Sequence, residues 1–506
     1  MSNTRRKANP ALLADFYKLS HRELYPEGTE YVYSTWTPRG NRIQYVTGVV
    51  SFGLQAFIKG YLQDYFDENF FNLPKEEVIA DYVRIVKHTL GGDPQTKHLE
   101  DLHDLGYLPL SIKALPEGTI TPFRVPTITI QNTDPRFFWL TNYIETLMSC
   151  ELWQAETSAT IANAYRKYFD TKAMETVGNT DTVPFMAHDF SMRGMSSLES
   201  ATLSGMSHLL SFQGTDTLPA ILGLERFYGA DVTKELVGTS IPATEHSIQC
   251  AFGDDMEYLR NTLTKVHPNG FCSIVSDGYD LWDVIGRVIP ALKDEINARD
   301  GRAVIRPDSG DPVLIVAGDP NGKTEIERKG VVEALWDIFG GTETEKGYKL
   351  LSSKVGVIYG DSITFERAVR ITESLQAKGF AFGNCVFGIG SYTYNYVSRD
   401  SLGNALKSTL CVVNGEERQI YKNPKTDDGL KKSQKGMVAV VKDGDTFAFI
   451  DHLGLSDKIK GDQLVEVYRD GKLLVEQSLS EIRARLAEGR KTMLIPVISL
   501  VIPPAE

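Results

Sequence analysis

Arg302-Ala303-Val304-Ile305-Arg306-Pro307-Asp308-Ser309-Gly310 is a short apolar run that ends abruptly in charge, proline and glycine. The pattern reads as a buried strand followed by a polar loop. The same unit recurs between about Pro184 and Tyr392. Phe185–Phe190 leads to Arg193-Gly194 and a helix from about Ser196. Gln213-Gly214-Thr215-Asp216 leads to a helix from Leu218, and Phe271–Ser276 leads to Asp277 and a helix from about Tyr279. Lys354–Tyr359 leads to Gly360-Asp361 and a helix from Ile363, and Cys385–Phe387 leads to Gly388-Ile389-Gly390-Ser391. Repeated strand–loop–helix units predict a parallel sheet, closed or open. In a barrel, the loops after the strands form the catalytic face. An open doubly wound sheet uses the same edge, but no GxGxxG opens a helix early in a βαβ unit here. The expectation is an α/β fold with an irregular, TIM-like α/β barrel.

Outward from this region the texture changes. Glu30–Thr37 and Leu108–Ala114 alternate as strands do. Gly48–Tyr65 and Trp139–Cys150 carry apolar residues at helical spacing. Near the C-terminus Asn414-Gly415, Asp443-Gly444 and Asp470-Gly471 each sit between β-rich runs and predict hairpins. Leu479–Leu486 predicts a closing helix, with Ser478 and Glu481 at capping-box spacing. A chain of 506 residues is too long for one core. We therefore expect the barrel, 151–394, to be inserted in a second, discontinuous α+β domain with an antiparallel sheet, 1–150 and 395–506. Lys422 to Lys435 reads as a flexible basic loop.

Bulk chemistry excludes several classes. Net charge is -12, with 42% hydrophobic and 24% charged residues. That argues against broad binding to nucleic acid or anionic membrane. The five cysteines are scattered, with no CxxC pair, so neither a disulfide framework nor a zinc knuckle is expected. No h-region follows the basic N-terminus, and the apolar run Met493 to Ile502 is too short to span a bilayer. A cytoplasmic protein is expected.

The strand-end loops collect Arg193, Asp216, His246, Asp277, Arg306, Asp308 and Asp361, with glycines around Gly390. Arginine forks match phosphate oxygens, glycine-rich turns offer N–H groups to phosphate, and magnesium takes a few carboxylates plus substrate phosphates. A phosphorylated substrate with a divalent metal fits this rim. Each residue also has a plainer reading. Asp216, Asp277 and Asp361 fit helix N-caps, Arg306 fits a structural ion pair, and Gly388-Ile389-Gly390 fits a turn. In Ser240-Ile241-Pro242-Ala243-Thr244-Glu245-His246-Ser247, Ser240 or Thr244 could cap a helix that Glu245 and His246 open. Taken alone, that structural reading stands ahead of the histidine as a base, nucleophile or ligand.

Taken in order, these residues carry a signature. Leu12 to Lys18, Asn132-Thr133-Asp134-Pro135, Trp139 to Asn142, His188 to Gly194 and Gly214 to Thr217 come first. Glu245-His246-Ser247, Ser276 to Asp280, Ile305 to Gly310 and Gly360-Asp361 follow. Nearly end to end, the chain resembles the nicotinamide phosphoribosyltransferases, dimeric type II phosphoribosyltransferases. The resemblance implies transfer of phosphoribose from 5-phosphoribosyl 1-pyrophosphate (PRPP) to nicotinamide, giving nicotinamide mononucleotide (NMN) and pyrophosphate. It also implies magnesium, and ATP as a coupled co-substrate.

It further implies roles for individual residues. Phe190 and the partner subunit's Tyr17 would stack on the nicotinamide ring, and Arg193 and Asp216 would flank its carboxamide. Ser240, Ser273 and Gly360 would line the pocket. Arg306 and Asp308 would hold the ribose and the pyridine side of the pocket, and Asp277 and Asp361 would lie near ribose and metal-bound pyrophosphate. Gly390 and Ser391 would meet the 5′-phosphate. Arg399, Lys407 and Lys422 would bind phosphate or pyrophosphate from a second subunit. ATP would phosphorylate His246, with Glu245 orienting it.

The chain departs from the family pattern in places. Ser391 replaces one of three successive glycines, and Phe16 and Met192 stand where more polar or aromatic residues are expected. For substrate choice, Asp216 can accept a hydrogen bond from an amide but repels a carboxylate, which favours nicotinamide over nicotinate. Two alternatives stay open: nicotinate phosphoribosyltransferase, and a non-catalytic binding or signalling protein on the same scaffold.

Overall fold

The computed structural model describes residues 7–422 and 433–492. Most of the expected basic loop and the apolar run from Met493 lie outside the described residues. The chain divides into two compact units. The first comprises Met1–Thr160, Leu224–Ala230 and Ser398–Glu506, and the second Ile161–Gly223 and Asp231–Val397. The division falls inside a 32-residue helix, Glu145–Thr176. This helix begins where the sequence predicts one and runs far beyond Cys150.

The first unit is built on a seven-stranded antiparallel sheet. Its order is 416–419, 404–413, 29–38, 128–132, 110–114, 465–469 and 472–473. Two of the predicted hairpin turns explain its edges. Asn414 and Gly415 have φ of 53° and 76°, and Asp470 and Gly471 have 49° and 82°. Those paired positive values suit a two-residue loop with the twist of the flanking strands. The third predicted hairpin joins 437–443 to 446–453.

One face of the sheet is covered by helices. Lys75–Leu90 buries Val78, Tyr82 and Val86, at four-residue spacing, in a cluster that includes Trp36, Ile112 and Ile130. Gly48–Tyr65 is only partly helical, because Val49–Val50 pairs as strand with Ile120–Thr121 and the helix starts at Leu54. The closing helix is Leu479–Thr492, where Ser478 N–H donates to Glu481 Oε2 at 2.8 Å and Glu481 N–H returns to Ser478 Oγ at 3.3 Å. Glu156 is buried in this unit and accepts from Trp36 Nε1 at 3.2 Å.

The second unit carries six parallel strands in the order 214–215, 187–189, 385–389, 355–359, 300–306 and 269–275. Every strand–loop unit of the sequence reading is present. The sheet curls until one segment bonds both edges. Thr239 bridges Gly214, and Ala243 bridges Ser273. Thr215 N–H reaches Thr239 O at 2.9 Å, and Ser273 N–H reaches Pro242 O at 2.8 Å. Pro242 has no N–H to donate. The closing stave is therefore a broken segment, and the barrel is irregular. Among the described residues no helix is long and apolar enough to cross a membrane, and the five cysteines are free.

Candidate active site

The capping readings fail one by one, and that defines the site. The helix after Asp277 is capped by Asp280, whose carboxylate accepts from Trp282 and Asp283 N–H. The helix after Asp361 is capped by Thr364. Asp216 accepts on Oδ1 from His188 Nε2 at 2.8 Å and Ser240 Oγ at 2.6 Å, not from the helix that follows. Ser240 is thereby excluded as a cap. Thr244 Oγ1 is engaged with Tyr258 Oη at 2.5 Å and with Val275 N–H at 3.0 Å. None of the three carboxylates is consumed as a helix cap, and Asp216 keeps one oxygen with no donor among the described residues.

Phe190 leaves the end of strand 187–189, its N–H bonded to Ile389 O at 2.9 Å. Its ring lies across Gly360 and Gly388. A Cβ built on Gly388 would fall 2.3 Å from Phe190 Cδ2, and one on Gly360 would fall 2.8 Å from it. Those two glycines make room for the aromatic ring. Gly390 differs, since a Cβ there meets nothing within 4 Å. Ser391 packs on the Arg193-Gly194 turn, where a Cβ on Gly194 would lie 2.4 Å from Ser391 Oγ. Gly194 thus provides the space that lets a serine stand in the glycine loop. Arg193 is exposed and makes no ion pair within the described residues.

Below Phe190 the barrel holds a largely apolar cavity of about 540 Å³. Phe190, His188, Asp216, Ser240 and Ser273 all line it. Ser273 Oγ is buried with no hydrogen-bond partner. The Asp216 carboxyl is pulled in two directions. Burial raises its pKa, but the hydrogen bonds from His188 and Ser240, and the charges of His188 and Arg306, outweigh that and leave it below the ordinary value.

A second cluster surrounds His246. Asp277 Oδ1 lies 3.0 Å from His246 Nε2. Asp277 Oδ2 accepts Asp308 N–H at 2.9 Å and Ser309 Oγ at 2.5 Å. Both oxygens of Asp277 therefore face donors, which makes it an orienting group for His246 and leaves it poorly suited as a metal ligand. Glu245, expected to orient the histidine, instead accepts the Ser247 hydroxyl. Among the described residues Arg306 forms no structural ion pair: Nη2 donates to Thr244 O at 2.7 Å, and the buried Nε has no partner there. Asp308 is raised, chiefly by burial and by Asp277 and Asp361, with Arg306 and His246 opposing. No three His, Cys, Asp or Glu side chains converge as a metal site among the described residues.

Four expected residues belong to the first unit. Tyr17 is exposed in the 3₁₀ turn Phe16–Ser20, edge-on to His21 with ring centroids 4.8 Å apart. Lys407 Nζ donates to Leu406 O and stands 3.6 Å from Glu145, and burial lowers its pKa despite that carboxylate. Arg399 is exposed beside Asp400, and Lys422 is exposed, its N–H held by Ser433 Oγ.

A family model described as the nicotinate phosphoribosyltransferase family matches residues 185–472, and one described as the nicotinamide phosphoribosyltransferase N-terminal domain matches residues 9–82. A nicotinamide phosphoribosyltransferase of Acinetobacter baylyi is 46% identical over 497 residues, covering 95% of this chain and 98% of its own. This chain belongs to the nicotinamide phosphoribosyltransferase family. A nicotinamide phosphoribosyltransferase of Xanthomonas campestris is 34% identical, covering 95% of this chain and 99% of its own. Nicotinate-nucleotide pyrophosphorylase of Pyrococcus furiosus shares the fold at 15% identity, with a TM-score of 0.59 over 98% of this chain and 100% of its own. Human nicotinic acid phosphoribosyltransferase shares it at 15% identity, with a TM-score of 0.54 over 96% and 94%.

In this member of the nicotinamide phosphoribosyltransferase family, two site residues escape sequence reasoning. His188 sits inside the quoted motif but carries no signal that it bonds Asp216, 28 residues away. Gly388 looks like a phosphate-loop glycine, yet its work is to seat Phe190.

Proposed function

We propose that this protein transfers the 5-phosphoribosyl group of PRPP to the ring nitrogen of nicotinamide, releasing NMN and pyrophosphate. The observation that carries this reading is Asp216. Its Oδ1 is saturated by His188 and Ser240, which leaves Oδ2 to accept from a carboxamide NH2 beside the Phe190 ring. A nicotinate carboxylate in that position has no hydrogen to give and meets like charge.

In the reaction a bond forms between the pyridine nitrogen and ribose C1. The bond from C1 to the pyrophosphate oxygen breaks with its electron pair leaving on pyrophosphate. No proton has to leave the ring nitrogen, so the protein's task is positioning and charge stabilisation through an oxocarbenium-like state. Phe190 gives one stacking face, and Tyr17 of the partner subunit would give the other. The unpartnered Arg306 Nε and the Asp308 carboxylate suit the ribose side, with Asp361 beside them. Arg193 with Gly390 and Ser391, and Arg399, Lys407 and Lys422 from the second subunit, would take phosphate and pyrophosphate. Magnesium would arrive mainly on the pyrophosphate and neutralise part of its charge. Asp308 and Asp361 are better placed than Asp277 to approach it.

ATP coupling belongs to the same reading. Because the Asp277 carboxylate only accepts, His246 Nε2 carries the hydrogen, and the Nδ1 lone pair is free to attack a γ-phosphoryl group as ADP leaves. The working form is a cytoplasmic homodimer. Asp216→Asn tests the assignment. The preference for nicotinamide over nicotinate should narrow by about tenfold or more, as expected when a matched polar group is lost. An unchanged preference would sink it.

A further inference from the structure

We propose that His188 is a specificity-setting positioning residue: it pins one oxygen of Asp216 and aims the other into the cavity. The inference rests on the reading of Asp216 as the carboxamide acceptor, and adds the residue that makes that acceptor selective.

The arrangement is built by strand register. His188 stands opposite Gly214 in the parallel pairing of 187–189 with 214–215. A Cβ on Gly214 would lie 2.7 Å from His188 Nδ1. With no side chain there, the imidazole lies over the neighbouring strand and reaches Asp216, two residues further on. The distance from Nε2 to Asp216 Oδ1 is 2.8 Å, and the imidazole ring is 4.9 Å from the Phe190 ring. The His188 side chain is 12% exposed, against 47% for Asp216, so the histidine is the fixed member of the pair. Ser240 Oγ donates to the same Oδ1 and lies 3.4 Å from His188 Nε2. Two donors converge on one oxygen, and among the described residues none reaches Oδ2.

The test compares KM for nicotinamide and for PRPP, and the ratio of kcat/KM for nicotinamide to that for nicotinate, in wild type, His188→Leu, His188→Gln and Asp216→Asn. His188→Leu should raise KM for nicotinamide by about tenfold, the scale of one lost hydrogen bond to a charged group, while KM for PRPP stays near wild type. His188→Gln, whose amide N–H still reaches Oδ1, should recover most of that KM. His188→Leu should also lower the amide-to-acid ratio, and His188→Gln should hold it near wild type. Equal behaviour of the Leu and Gln variants overturns the proposal. If Asp216→Asn collapses the ratio and His188→Leu does not, only the histidine assignment fails. If Asp216→Asn leaves the ratio intact, the acceptor reading fails and this inference falls with it.

Discussion

Asp277 holds His246 by one oxygen, 3.0 Å from Nε2, while its other oxygen accepts Asp308 N–H and the Ser309 hydroxyl. A carboxylate engaged on both sides fixes the imidazole's tautomer and direction, as an orienting acid does behind a catalytic histidine. His246→Ala should abolish ATP stimulation and any phosphoenzyme. Asp277→Asn should cut phosphoenzyme formation by about tenfold or more, the cost of about 1.4 kcal/mol of lost orientation. Labelled phosphate retained on the protein in alkali and lost in acid reads both. Retained coupling in His246→Ala returns the histidine to a structural role.

Gly388 and Gly390 should behave oppositely. Gly388→Ala places a Cβ 2.3 Å from Phe190 Cδ2, while Gly390→Ala points into open space. The first should destabilise by about 1–3 kcal/mol through overpacking and weaken nicotinamide binding. The second should leave the melting temperature unchanged. Thermal melts and nicotinamide titrations check this, and equal melting temperatures contradict it.

Ser391 and Gly194 form a compensating pair. Gly194→Ala should destabilise because its Cβ would sit 2.4 Å from Ser391 Oγ. Adding Ser391→Gly should restore most of the loss, as neighbours sharing one space couple by about 0.5–3 kcal/mol. A double-mutant cycle by denaturant unfolding measures that coupling, and strict additivity refutes it.

Glu156 supplies a pH prediction. Burial, opposed by hydrogen bonds from Trp36 and Thr127, raises its carboxyl from 4.5 to about 7. The folded form then holds the proton more tightly than the unfolded form. Stability should fall as pH rises from about 4.5 to about 7, by about 3 kcal/mol at most. Glu156→Gln should lose that slope, and its melting temperature should exceed wild type at pH above about 7. Parallel slopes for both proteins would count against the account.

Much of this was legible in the sequence, because it depends on local pattern. Apolar runs ending in glycine and charge marked the strands at 187–189, 269–275, 300–306, 355–359 and 385–389, and three Asx-Gly pairs marked the hairpins. What was not legible depends on distance in space. The closing stave 239–244 contains Pro242 and lacks strand periodicity, yet hydrogen-bonds to both sheet edges. Adjacency suggested Glu245 as the partner of His246, whereas the fold brings Asp277 from 31 residues away. Asp277 and Asp361 read equally well as caps, yet Asp280 and Thr364 hold those positions.

Product analysis tests the central claim most directly. Nicotinamide and nicotinate are each incubated with PRPP and magnesium, with and without ATP, and nucleotide and pyrophosphate are quantified. The account predicts NMN and pyrophosphate in equal amounts from nicotinamide, more with ATP, and little nucleotide from nicotinate. Comparable efficiency on nicotinate, or no nucleotide from nicotinamide, would contradict it.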